Sequence, residues 1–135
     1  MADLRPRFAF CIVCAVVAGS LWPVIASEVF PFDRELMLDV APMRGSKRVP
    51  IIEIGQNGAA TIDLWCASLR GKATVGADSI TIVPEPAGAA QCAPEWQSGD
   101  ENLLAALAQV TSWRRQGNVI ELIGAQTLRF RLMTN

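Results

Sequence analysis

Cysteines, carboxylates and tryptophans are the side chains through which this 135-residue chain can do chemistry, because histidine and tyrosine are both absent. Without histidine there is no Ser-His-Asp or Cys-His nucleophile system, and the commonest metal ligand is missing. Without tyrosine there is no phenolic acid or base. Glu53, Asp63, Asp78 and Glu95 remain as acid/base candidates. Catalysis by paired carboxylates needs two of them close together with displaced pKa values. The sequence spacing pairs none of the four. The reading is therefore a non-enzymatic protein with no catalytic, cofactor-binding or metal-binding residue. Cys66 and Cys92 are the other chemical pair. Redox cysteines sit close in sequence, as in C-x-x-C, and these do not, which favours a structural bridge over a redox couple.

The setting of those cysteines is decided at the other end of the chain. Arg5 and Arg7 precede an apolar run from Phe8 to Ala18. Gly19, Ser20 and Pro23 then break it, and Val24-Ile25-Ala26 stands ahead of Ser27. This is the order of a secretory signal peptide over residues 1–26, leaving a domain at 27–135. The alternative is an uncleaved anchor, but Gly, Ser and Pro interrupt the 19 residues from Phe8 to Ala26, which are barely enough for a span. Cys11 and Cys14 lie inside the apolar run, and neither follows the Leu-spacer-small pattern of a lipid-modified cysteine. The expected location is periplasmic or secreted, with no membrane span after cleavage and a monomeric product.

Cleavage halves the cysteine count. Only Cys66 and Cys92 remain, in a compartment where disulfides persist, so the connectivity is forced. Closing a loop of about 27 residues stabilises a fold by roughly 3–4 kcal/mol in the chain-entropy model. Cleavage also removes Arg5, Arg7 and Asp3, so 12 basic residues become 10, 13 acidic become 12, and the net charge is −2. The remaining cations are scattered. Arg44, Lys47 and Arg48 form the densest group and read as a solvated loop. Nothing resembles the clustered basic surface that nucleic acid requires.

The elements that must position these residues are mostly strands, because period-2 alternation dominates. Leu36, Leu38 and Val40 share one face. Val49 to Ile54 is an apolar run ending at Gly55-Gln56-Asn57-Gly58, a hairpin signal. Ile62 and Leu64 alternate with Thr61 and Asp63, and Leu69, Ala73 and Val75 with Arg70, Lys72 and Thr74. A turn at Gly76-Ala77-Asp78 leads to Ile80 and Ile82. Pro84 to Ala90 reads as a loop, since proline cannot donate to a ladder. Ser98-Gly99-Asp100-Glu101 matches a capping box and predicts a helix starting near Ser98, with Asp100 and Glu101 complementing its dipole. Leu103, Leu104, Leu107 and Val110 give that helix its apolar stripe. Thr111 to Arg115, Val119 to Ile123 and Leu128 to Leu132 close the chain as strands. The expectation is an α+β fold: a small antiparallel, barrel-like sheet of seven or eight strands, with one helix packed on it and one disulfide.

This order resembles the META domain, or heat-shock HslJ-like, family of the bacterial envelope. Cys66-Ala67-Ser68-Leu69-Arg70-Gly71 stands where that family carries Cys-Asn-x-x-x-Gly. Ala90-Gln91-Cys92-Ala93-Pro94-Glu95 is similar to its Thr-x-Met-Ala-Cys-Pro segment. The helix at Glu101 to Leu107, the aromatic strand at Val110 to Trp113 and the hairpin from Val119 to Leu132 follow in the family's order. The chain departs from the pattern at Ala67, Gln91, Ala93 and Ala73. The resemblance implies a small envelope-associated antiparallel domain with no established catalysis, linked to stress response and drug tolerance. It carries over Cys66, Gly71 and Cys92 in structural roles.

Two tryptophans complete the candidate sites. Trp65, beside Cys66, is expected to pack against the disulfide, with ligand stacking as the alternative. Trp96, in a polar stretch after Pro94-Glu95, is expected to be exposed and is the candidate partner contact, because tryptophan is favoured at interface hot spots. Arg114-Arg115 reads as a solvated strand end. The partner is an envelope protein or a small ligand. Two other functions compete with the envelope-stress reading. A secreted inhibitor of the lysozyme-inhibitor type is one, although the lack of tyrosine fits it poorly. A carrier of a small apolar ligand is the other, although Leu38, Ile62, Leu69, Ile80 and Phe130 are large enough to fill a barrel.

Overall fold

The computed structural model describes Gly19, residues 28–88 and residues 91–134. Apart from Gly19, the expected signal segment with Cys11 and Cys14 lies outside the described residues, as do Ala89 and Ala90 of the predicted loop. The elements run β1 (Glu35–Leu38), β2 (Ile51–Ile54), β3 (Ala59–Asp63), β4 (Ser68–Val75), β5 (Ile80–Pro84), α1 (Pro94–Ala108), β6 (Ser112–Gln116), β7 (Val119–Ile123) and β8 (Thr127–Leu132). One eight-stranded sheet has the order β5-β4-β3-β2-β1-β8-β7-β6, and every neighbouring pair is antiparallel. The expected barrel-like architecture with one helix and one disulfide is what the chain adopts.

The sheet almost closes on itself. The Ile80 N–H donates to the Thr111 carbonyl at 3.0 Å, and the Trp113 N–H donates to the Asp78 carbonyl at 3.0 Å. These bonds join the starts of β5 and β6, so the two edge strands that could template aggregation partly satisfy each other. Helix α1 links the same two strands and packs on β5.

Alternation decides which side chains fill the interior. Leu36 and Leu38, Ile52 and Ile54, Ile62, Leu69, Ile80 and Ile82, Ile120 and Leu122, and Phe130 are all buried, while their strand neighbours face outward. Leu38, Ile62, Leu69, Ile80 and Phe130 occupy the core as expected. An interior filled by its own side chains is the usual state of a small barrel. Phe30, ahead of β1, joins this core and meets Trp113 edge-on at 5.1 Å.

The Asn-Gly signal is a hairpin between β2 and β3. Gly58 takes φ +83°, a left-handed conformation open to glycine at little cost, and Asn57 Oδ1 accepts the Ala59 N–H at 3.0 Å. Two local expectations need correcting. β1 stops at Leu38, and Val40 is exposed and not on the core face. The helix starts at Pro94, four residues before the predicted capping box. Ala93 is its N-cap with no side-chain cap bond, and Ser98 lies inside the helix. Proline at the first helical position is preorganised in φ and has no N–H to leave unsatisfied. Gln97 Nε2 donates to the Cys92 carbonyl at 3.1 Å, tying the early helix to the bridging cysteine.

Candidate functional site

Four of the residues singled out from the sequence, Trp65, Cys66, Cys92 and Trp96, converge on one corner, where the turn before β4 meets the first turns of α1. The Leu64 N–H donates to the Ala67 carbonyl at 2.8 Å, closing a tight turn over residues 64–67. Cys66 in that turn is bonded to Cys92 just before the helix, with their Cα atoms 5.9 Å apart. The predicted disulfide is therefore present, and it staples the barrel to the helix.

A second link lies beside it. Three successive backbone N–H groups aim at one buried carboxylate. Trp65 donates to Asp100 Oδ1 at 2.9 Å, Cys66 donates to both oxygens at 3.2–3.3 Å, and Ala67 donates to Oδ2 at 2.8 Å. Asp100 is only 6% exposed. A concave run of N–H donors is an anion site, and here the protein fills it with its own side chain. From the sequence, Asp100 read as a complement to the helix dipole; the structure gives it this inward role. A signal was present. Extending the Leu103–Leu107 stripe back by three and four residues places Gly99, Asp100 and Trp96 on the buried face.

Trp65 is 8% exposed, and its ring packs on Gly99. A Cβ on Gly99 would lie 3.0 Å from the Trp65 ring and would also strike the Met43 methyl. Thus α1 approaches Trp65 closely because position 99 lacks a side chain. Trp96 is not exposed as expected: it is half-buried against the core, under the loop that joins β1 to β2, with Gly45 over its ring edge. The reason is helical phase. Starting the helix at Pro94 puts Trp96 on the same face as Gly99 and Leu103.

Beside the disulfide runs an open groove of about 420 Å³, lined by Ala67, Gly88, Gln97, Asp100, Glu101 and Leu104. The four acid/base candidates do not gather there. Glu53 lies on β2 opposite Glu35, Asp63 ends β3 opposite Ile51, Asp78 is in the β4–β5 turn, and Glu95 is in the first helical turn. Among the described residues no three His, Cys, Asp or Glu side chains are grouped to hold a metal. Among them, too, no helix is long and apolar enough to cross a membrane. Arg114 pairs with Glu121 on the neighbouring strand. Arg115 reaches the Val29 carbonyl at 2.9 Å and Glu28 at 3.6 Å, so it ties the N-terminal segment to β6.

The family model of the META domain matches residues 37–135. The chain belongs to the META domain family. META domains are not a known enzymatic family. The three positions carried over from the META pattern have visible structural work: Cys66 and Cys92 form the staple, and Gly71 lets β4 meet β5. A Cβ on Gly71 would stand 2.8 Å from the Val83 carbonyl oxygen. Ala67, where the META pattern has asparagine, still delivers its backbone N–H to Asp100. Comparisons with curated proteins and with solved structures return no match.

Proposed function

We propose that this META domain is an exported, non-enzymatic binding domain of the HslJ-like type, acting in the periplasm or outside the cell in envelope stress or drug tolerance. The half-buried Cys66–Cys92 bridge carries the reading. A disulfide persists in an oxidising compartment, and the sequence ahead of Ser27 has the order of a cleaved signal. The carboxylates do not converge, which supports binding over catalysis. The corner formed by Trp65, Trp96, the disulfide and the adjoining groove is the surface proposed to meet the partner, with Trp96 as its anchor. Mass spectrometry of the protein recovered from the cell envelope tests the address. A mature chain starting at Ser27 with both thiols oxidised is expected; free thiols or an intact N-terminus overturn it. A deletion strain grown under envelope stresses and antibiotics tests the role, and growth equal to the parent under all of them would remove it.

A further inference from the structure

We propose that the tryptophan corner beneath the β1–β2 loop binds a small anionic amphiphile, a carboxylate joined to an apolar group, which enters by displacing Met43. The proposal rests on reading the chain as a binding domain and names its ligand class.

Three observations lead there. The indole N–H groups of Trp65 and Trp96 are both buried, and neither has a hydrogen-bond partner. Trp65 as a whole is more than nine-tenths buried. Leaving a buried donor unpaired is unfavourable, so two in one corner call for acceptor atoms. Next, the corner is stoppered by an unbranched side chain. The Met43 methyl lies against Gly99, where the Cε3–Cζ3 side of the Trp65 ring also packs, and Gly45 covers the Trp96 edge at Cζ2, two bonds from the indole nitrogen. Methionine is the most adaptable apolar filler. The loop that carries it, between β1 and β2, has no strand or helix, and Gly45 within it takes φ +77°.

The third observation is charge. Arg44, Lys47 and Arg48 stand exposed on this loop, and no ion pair forms to any of them among the described residues. Arg48 donates to Ser68 Oγ at 3.3 Å, and Asp63 shares a concavity with Lys47 and Arg48. Arg44 has no ion pair among the described residues and does not line that concavity, and it is the sequence neighbour of Gly45, which covers the Trp96 edge. Glu95 on the first helical turn is the nearest carboxylate along the helix. By contrast, Arg114, Arg115, Arg129 and Arg131 on the β6–β8 side all have carboxylate partners. Cations outside, unpaired donors beneath the loop and an unbranched apolar stopper between them match one chemistry: an acceptor-rich anionic head with an unbranched apolar tail. The barrel interior is full, so a ligand of this kind binds at the rim of the fold.

The test titrates dodecanoate, below its micellar concentration, into the purified disulfide-bonded protein. Calorimetry and tryptophan emission are read together, with dodecanol as the neutral arm. Saturable one-to-one binding with an emission change is expected. Trp96→Phe removes most of that change. Met43→Ala opens the site and tightens binding about threefold or more, as cavities lined by apolar groups take up apolar ligands. The Arg44→Gln/Lys47→Gln/Arg48→Gln triple variant, all on exposed positions, weakens binding about tenfold and flattens its salt dependence. Absence of saturable binding overturns the proposal. So does equal affinity for dodecanol, or affinity that ignores both the Met43 and the charge variants. Should Met43→Ala fold poorly, the charge triple and the neutral arm still decide. A negative result here leaves the export and oxidation measurements untouched, so the two readings fail separately.

Discussion

Replacing Asp100 is the sharpest probe of how this fold is held. Its carboxylate accepts from the Trp65, Cys66 and Ala67 N–H groups at 2.8–3.3 Å while 6% exposed. Asp100→Ala strands all three donors. A hydrogen bond to a charged group contributes about 1.5–3 kcal/mol, and a stranded buried donor costs about 1–3. Trp65 is buried, but Cys66 and Ala67 are half-exposed, and water can reach their N–H groups. The sum, discounted for that access, is a loss of about 3–4 kcal/mol. Asp100→Asn keeps one acceptor oxygen but turns an NH₂ toward a backbone N–H, for about 1.5–3 kcal/mol. Neighbouring Glu101 is exposed and in none of these bonds, so Glu101→Gln stays within about 0.5 kcal/mol. Denaturant unfolding of the oxidised protein measures all three. Combining Asp100→Ala with Cys66→Ala/Cys92→Ala completes a double-mutant cycle. Both perturbations release the same turn, so a coupling above about 0.5 kcal/mol is expected. An Asp100→Ala loss under about 1 kcal/mol, equal to that of Glu101→Gln, would refute the claim that this carboxylate organises the turn.

Removing the bridge by Cys66→Ala/Cys92→Ala lowers stability by about 3–4 kcal/mol, read as a shift in denaturation midpoint that reductant reproduces in the parent protein. Gly99→Ala pushes a methyl onto Trp65 and Met43 and costs about 1–3 kcal/mol; adding Met43→Ala recovers only part of it, because the ring contact at 3.0 Å remains. Gly71→Ala sets a Cβ 2.8 Å from the Val83 carbonyl oxygen, where only backbone can yield, and is expected to lower the thermal midpoint more than the exposed Lys72→Ala beside it.

Most strands were legible because they alternate: Leu36 and Leu38, Ile62, Ile80 and Ile82, and Phe130 all fall on the core side that their period assigned, while β2 was legible as an apolar run ending at a turn. The disulfide was legible from the expectation that residues 1–26 are removed, which leaves two cysteines to pair. The helix start was not. Ser98 and Glu101 match the capping-box pattern, yet Pro94 begins the helix earlier and burial of Trp96, Gly99 and Asp100 fixes its phase. Local capping energy of about 1 kcal/mol is easily outweighed by packing one face of a helix. Asp100 was misread for a related reason. Its partners, the N–H groups of residues 65–67, are more than 30 positions away, and sequence periodicity carries no information on such a pairing. Trp96 followed the helix phase into the fold.

The placement of β8 has a consequence for how the chain reaches its native state. Strands β2 to β5 pair only with their sequence neighbours, so that half is a local meander stapled at Cys66. β1, however, takes the last strand as its second partner, with Leu36 opposite Leu132. Closing that pair demands a long loop closure, and such contacts form slowly. A chain emerging from its N-terminus would therefore hold a partly formed sheet with β1 unpaired on one side until its final residues arrive. Loss of residues 127–135, which carry β8, would not shorten the fold but divide it, leaving β1 and β7 each with a bare edge and the β6–β7 hairpin tethered through the helix and the bonds to the start of β5.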